Sequence, residues 1–136
     1  KLFTCYKFRT MIVGTKEGAT HEITADSLTS IGHFLRKTKI DELPQVWNIL
    51  KNELSLVGPR PCLEVQHELV NERARLGVLD EIGGITGWAQ IKNVDMSNPE
   101  RLAKLDAEYL ILRTIPLDLK IMLATAIGHG QGDKTR

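Results

Sequence analysis

The chain has 136 residues and a mass of 15.2 kDa, enough for one ordinary domain and too little for two comfortable ones. Hydrophobic residues at 42% and charged residues at 26% exclude a disordered chain. Eighteen basic residues against seventeen acidic ones leave a net charge of +1, without the one-sided basic surface of a nucleic-acid binder. No apolar run reaches the roughly 18–20 residues needed to span a bilayer.

Cys5 and Cys62 lie far apart without metal spacing, as expected of reduced thiols. His21, His33, His67 and His129 form no closely spaced pair, which argues against zinc. The first residues are Lys1-Leu2-Phe3, with no initiator methionine and no signal peptide, as in a fragment whose upstream segment is missing. Basic residues gather at Lys1 to Arg9 and at Arg36 to Lys39, and acidic ones between Asp41 and Glu108.

Lys1 to Met11 alternates with aromatic enrichment, which predicts a strand with Lys7 and Arg9 on one face. That pair is either two solvated charges on an edge strand or a basic pair aimed at phosphate. Gly14 to Thr29 reads as a polar loop, with a weak hairpin partner near Glu22 to Thr24. A short helix follows, capped by Thr29 or Ser30, with Ile31, Phe34 and Leu35 on its apolar face. Arg36 and Lys37 fall in its last turn, where cations suit the negative helix end.

Leu43, Val46, Trp47, Leu50 and Leu54 recur at helical spacing and predict one apolar stripe. Pro44 is tolerated only in a first turn, so this helix should begin near Asp41, with Asp41 and Glu42 at its N-terminus. Acidic residues there oppose the macrodipole and cap free N–H groups, which by itself accounts for them. In Gly58-Pro59-Arg60-Pro61, two prolines fix the backbone on either side of Arg60, so the arginine loses little further backbone entropy on binding. Such turns also occur for purely structural reasons.

Leu63 to Leu76 predicts another helix. The glycine-rich run from Gly83 to Ile91 enters a short extended segment and matches neither a P-loop nor a dinucleotide fingerprint. Its glycines either admit a ligand or make a turn beside Trp88. Pro99 opens a helix carrying Leu102, Leu105, Tyr109 and Leu112 on one face. Pro116 opens the last, which is apolar enough to lie on a membrane surface or a partner, or to be buried in this domain's own core. Residues 128–136 read as a frayed tail. Together these elements describe an α+β fold: a mainly helical single domain with a short N-terminal β-strand or hairpin and long amphipathic C-terminal helices.

Four segments carry a resemblance: Tyr6 to Met11; Leu35 to Thr38 running into Asp41-Glu42-Leu43-Pro44-Gln45; Ser55 to Pro61; and Gly84 to Gln90. In this order they resemble the bacterial sugar transferases, monotopic polyprenyl-phosphate glycosyl-1-phosphate transferases that start capsule, exopolysaccharide and O-antigen synthesis. Asp106 and the run Asp118 to Ile121 fit the family's C-terminal pattern. The resemblance implies transfer of a sugar-1-phosphate from a UDP-sugar to undecaprenyl phosphate, with UMP released, at the cytoplasmic face of the bacterial inner membrane. It implies that Asp41 attacks the β-phosphorus to give an aspartyl-phosphosugar, and that Glu42, with Asp41, holds Mg²⁺. Lys7, Arg9, Arg36 and Arg60 would sit near the phosphates, and Gln90 and Lys92 on the substrate side.

A carboxylate at a helix N-terminus is kept ionised by the dipole, which fits a nucleophile at neutral pH. Two departures stand out. Val94 occupies the place of an expected arginine, whose anion contact is absent or moved to Lys92, and Ile82-Gly83 replaces an expected Arg-Pro. The family's N-terminal re-entrant membrane helix is absent from the sequence, so the chain as given is expected to be soluble and weak on polyprenyl phosphate. Self-association into a homodimer stays open. The alternative is a non-enzymatic module that binds nucleotides or partner helices, with Asp41 and Glu42 serving only as caps.

Overall fold

In the N-terminal segment the aromatic alternation does not give a strand: residues 2–10 have no regular secondary structure, and among the described residues no sheet forms around the segment. Its polar groups are taken up elsewhere. Tyr6 N donates to Asn48 Oδ1 at 3.1 Å, Asn48 Nδ2 donates to Thr4 O at 2.8 Å, and Phe8 N donates to Asp41 O at 2.9 Å. Among the described residues of this segment only Met11 pairs in β fashion, through an isolated antiparallel bridge to Leu28. This computed structural model describes residues 2–15 and 27–127, so the hairpin partner expected near Glu22 to Thr24 and the tail from residue 128 lie outside the described residues.

The chain divides into two compact units, one reaching to Glu53 and the next beginning at Leu54. In the first, helix α1 (Ser30–Thr38) starts as its cap predicts, with Thr29 Oγ1 accepting from Gly32 N. Gly32 lets α1 lie directly on the N-terminal segment, since a Cβ there would sit 2.0 Å from Thr10 O. The helix ends at Lys39, which is left-handed at φ 57°.

The helix expected from Asp41 is broken in two. A 3₁₀ turn (Ile40–Glu42) precedes α2 (Gln45–Leu50), with Pro44 as the N-cap of α2. Pro44 has no N–H to bond Ile40 O, so Leu43 N takes that carbonyl in an i to i−3 bond instead. The stripe is also reversed with respect to burial. Gln45 and Asn48 are the buried residues of α2, whereas Leu43, Val46, Trp47 and Leu50 are exposed, as are Ile31 and Phe34 of α1. Leu54 is buried but lies beyond the helix.

In the second unit, β1 (Ser55–Val57) and β2 (Gly84–Thr86) pair in parallel, Ser55 opposite Gly84 and Val57 opposite Thr86. Between them lie the Gly-Pro-Arg-Pro turn, α3 (His67–Arg75) and a 3₁₀ turn (Val78–Asp80). Helix α3 begins later than its pattern suggests because Gln66 Oε1 accepts from Leu63 N, closing a separate turn ahead of it. After β2 the chain enters α4 (Trp88–Ile91), where an extended segment was expected. Helices α5 (Pro99–Leu112) and α6 (Ile115–Ala126) begin on Asn98 and Thr114 side-chain caps, each with its proline in the first turn.

One core cluster joins Leu69, Ala89, Val94, Leu102 and Ala103, and a second joins Val57, Tyr109 and Ile121. Burial of such side chains stabilises by about 1.5–3 kcal/mol each. Ile111, Ile115, Leu119 and Leu123 stay exposed. The class is therefore the expected mainly helical α+β fold, with its sheet formed by β1 and β2 rather than by the N-terminus.

Candidate active site

Four of the residues singled out above come together in the first unit. The left-handed Lys39 and the 3₁₀ turn carry Asp41 inward, where it is 8% exposed. Phe8 N on Asp41 O fastens the N-terminal segment to this turn, and the neighbouring Lys7 Nζ lies 3.2 Å from Glu42 Oε1. Arg36, from the last turn of α1, donates through Nε to Thr10 Oγ1 at 3.0 Å, while its Nη1 is buried without a hydrogen-bond partner. Arg9 is exposed, and among the described residues no hydrogen bond or ion pair ties it to this cluster.

The charge on Asp41 is finely opposed. Burial and the adjacent Glu42 push its carboxyl above the usual aspartate range, while Lys7 and Arg36 pull it down; burial is the largest effect and the net direction is up. The dipole argument from sequence thus gives way to desolvation, because a three-residue 3₁₀ turn has little dipole and Asp41 faces the interior. The N-cap of α2 is Pro44, which makes no side-chain cap bond, and both carboxylates lie in the 3₁₀ turn ahead of that helix.

Arg60, Gln90 and Lys92 belong to the second unit. Arg60 sits half-buried in a turn whose backbone is tied to β2, with Gly58 N donating to Thr86 O and Gly84 N donating to Pro59 O, both at 2.9 Å. A Cβ on Gly84 would come within 2.1 Å of Gly58 N, and one on Gly87 within 2.4 Å of Gly58 O. These glycines serve contact between two backbones, which is by itself a structural use for them. Gln90 is buried, and its Oε1 has no hydrogen-bond partner. Lys92 Nζ lies 4.2 Å from the Trp88 ring centroid and 3.5 Å from Glu108 Oε1. Val94 is part of the core, so the position of the expected arginine is here a packing position.

Three residues escaped the sequence reading. Asn48 is fully buried, bonded to Thr4, Tyr6 and Glu53, and acts as a surrogate strand edge for the N-terminal segment. Thr10 receives Arg36. Arg73, 3% exposed, donates from Nε and Nη2 to Asp106 Oδ2 at 2.9 and 2.6 Å and from Nη1 to Arg60 O at 2.8 Å, fixing the backbone of the turn. Asn48 lies on the polar face of α2 with Gln45, away from the apolar stripe, and no local signal marks it for burial. Nothing local marks Arg73 among the charges of α3.

The family profile described as Bacterial sugar transferase matches residues 1–130. The chain belongs to the bacterial sugar transferase family. It is 43% identical over 128 residues to an uncharacterized sugar transferase, EpsL, of Bacillus subtilis (strain 168), covering 92% of this chain and 61% of that protein. It is 33% identical to a UDP-glucose:undecaprenyl-phosphate glucose-1-phosphate transferase of Xanthomonas campestris pv. campestris, over 92% of this chain and 28% of that protein. It is 31% identical to an undecaprenyl-phosphate galactose phosphotransferase of Salmonella typhimurium, over 93% of this chain and 30% of that protein. The chain thus spans about three fifths of one of these relatives and under a third of the others.

Proposed function

We propose that this member of the bacterial sugar transferase family moves a sugar-1-phosphate from a UDP-sugar to a polyprenyl phosphate, releasing UMP. The observation that carries the reading is the pairing of a buried Asp41 with Glu42, flanked by Lys7 and Arg36, in one unit. Asp41 Oδ attacks the β-phosphorus of the donor; the bond from that phosphorus to the bridging oxygen breaks and UMP departs with its electron pair. The polyprenyl phosphate oxygen then attacks the aspartyl-phosphosugar and frees Asp41. Lys7 and Arg36 offset the repulsion between a carboxylate and a diphosphate.

Mg²⁺ fits the donor set. Two adjacent carboxylates raise each other's proton affinity, which a shared cation relieves, and magnesium is commonly held by one or two carboxylates with substrate phosphates and water. Among the described residues no cluster of three His, Cys, Asp or Glu offers a fuller cage. Asp41 and Glu42 would hold the ion, which supplies charge neutralisation on the diphosphate.

A lipid acceptor suits the exposed apolar rows of α2 and α6, although no helix of the described residues is long and apolar enough to cross a membrane. We place the reaction at the cytoplasmic face of the inner membrane, where nucleotide sugars are made. The test is UMP release from UDP-sugars by membranes carrying the protein in its full-length form. Asp41→Asn should abolish release while UDP-sugar binding survives, and undiminished turnover by that variant would overturn the assignment.

A further inference from the structure

Thr10 is 5% exposed, and three contacts converge on it. Its carbonyl accepts from Thr29 N at 3.0 Å and Thr29 Oγ1 at 3.2 Å, at the start of α1. Gly32, one turn further on, has no side chain to keep α1 away from that carbonyl. Its hydroxyl accepts from Arg36 Nε, one more turn along the same helix. Arg36 Nη1 is buried yet unpartnered, so this Nε bond orients the cation. The Arg36 carbonyl accepts from Lys39 N at 3.2 Å, where the chain enters the 3₁₀ turn that carries Asp41, and the Arg36 charge acts on that carboxylate. A buried Nη1 left without a partner is costly for stability alone. It makes sense where its charge is needed beside a carboxylate and an incoming phosphate.

We propose that Thr10 is a positioning residue, whose hydroxyl holds the Arg36 guanidinium beside Asp41 so that the cation is in place when the donor diphosphate arrives. The inference rests on the transfer reaction proposed above. Thr10→Val keeps shape and β-branching while removing the acceptor, and Thr10→Ser keeps the acceptor. With the full-length protein in membranes, Thr10→Val should lower kcat/KM for the UDP-sugar that supports turnover by about tenfold, and Thr10→Ser should stay within about threefold of the parent. In an Arg36→Ala background, Thr10→Val should have no further effect beyond about twofold. A purely structural Thr10 would lower the amount of active protein with KM unchanged, and would be equally harmful with or without Arg36; either result overturns the proposal.

A readout independent of turnover separates this idea from the proposed reaction. The Arg36 Nε–H resonance should be slowly exchanging in the parent and in Thr10→Ser, and lost in Thr10→Val. Loss of that signature with no transfer activity in the parent would refute the reaction, not the hydrogen bond. Persistence of the signature in Thr10→Val refutes the positioning role.

Discussion

Replacing Asp106 by Ala leaves the Arg73 guanidinium buried with only the Arg60 carbonyl for company. Both side chains are within a few per cent of complete burial, and the contacts of 2.6 and 2.9 Å leave no room for water between them. Removing one partner of such a pair costs about 3–5 kcal/mol, against a total stability on the order of 5–15 kcal/mol for a typical protein. Desolvation of two charges offsets much of their mutual attraction, and burial pushes the Asp106 carboxyl above its usual range despite Arg73. Arg73→Met with Asp106→Leu should therefore recover most of the loss. It should still fall short of the parent by about 1 kcal/mol, because the Arg60 carbonyl loses its donor. Urea unfolding followed by Trp88 fluorescence, in a Trp47→Phe background, reads the unit that contains the pair. A cost below about 1 kcal/mol for Asp106→Ala would show that water reaches the guanidinium, and would refute the account of how the turn is held.

Two further outcomes concern the first unit. The Asp41 carboxyl is raised on folding, so its contribution to stability is fully present below the ordinary aspartate pKa and is lost as pH rises through the folded value. Asp41→Asn should remove that slope and melt higher than the parent at neutral pH in chelator; parallel melting profiles for the two proteins would contradict it. Asn48→Ala should cost about 2–3 kcal/mol, since Tyr6 N, Thr4 O and Glu53 lose a partner together. Limited proteolysis should then cut residues 2–10 early, and unchanged resistance would argue that Asn48 does not hold that segment.

Local rules determined a good deal. Thr29 reads as a cap because a short side-chain oxygen before a helical pattern has one favourable use, and Pro99 and Pro116 mark helix starts because they lack an N–H. The acidic pair and its basic neighbours were visible because the motif order is specific. Spacing misled where it was asked to say which face is buried. The stripe Leu43, Val46, Trp47 and Leu50 has helical period, but period shows only that residues share a face, and here the polar face with Gln45 and Asn48 is the one turned inward.

The N-terminal alternation suggested a strand, but the partner of that segment is an amide side chain forty-odd positions away. Likewise Arg73 with Asp106, and Thr10 with Arg36, meet only through folding, and no local pattern encodes contacts at such separation. The sequence by itself determined the family motifs, the charges they carry and several of the helix starts. Tertiary structure alone decided which charges are desolvated and which neighbours hold them, because burial is a property of the packed chain and not of any stretch within it.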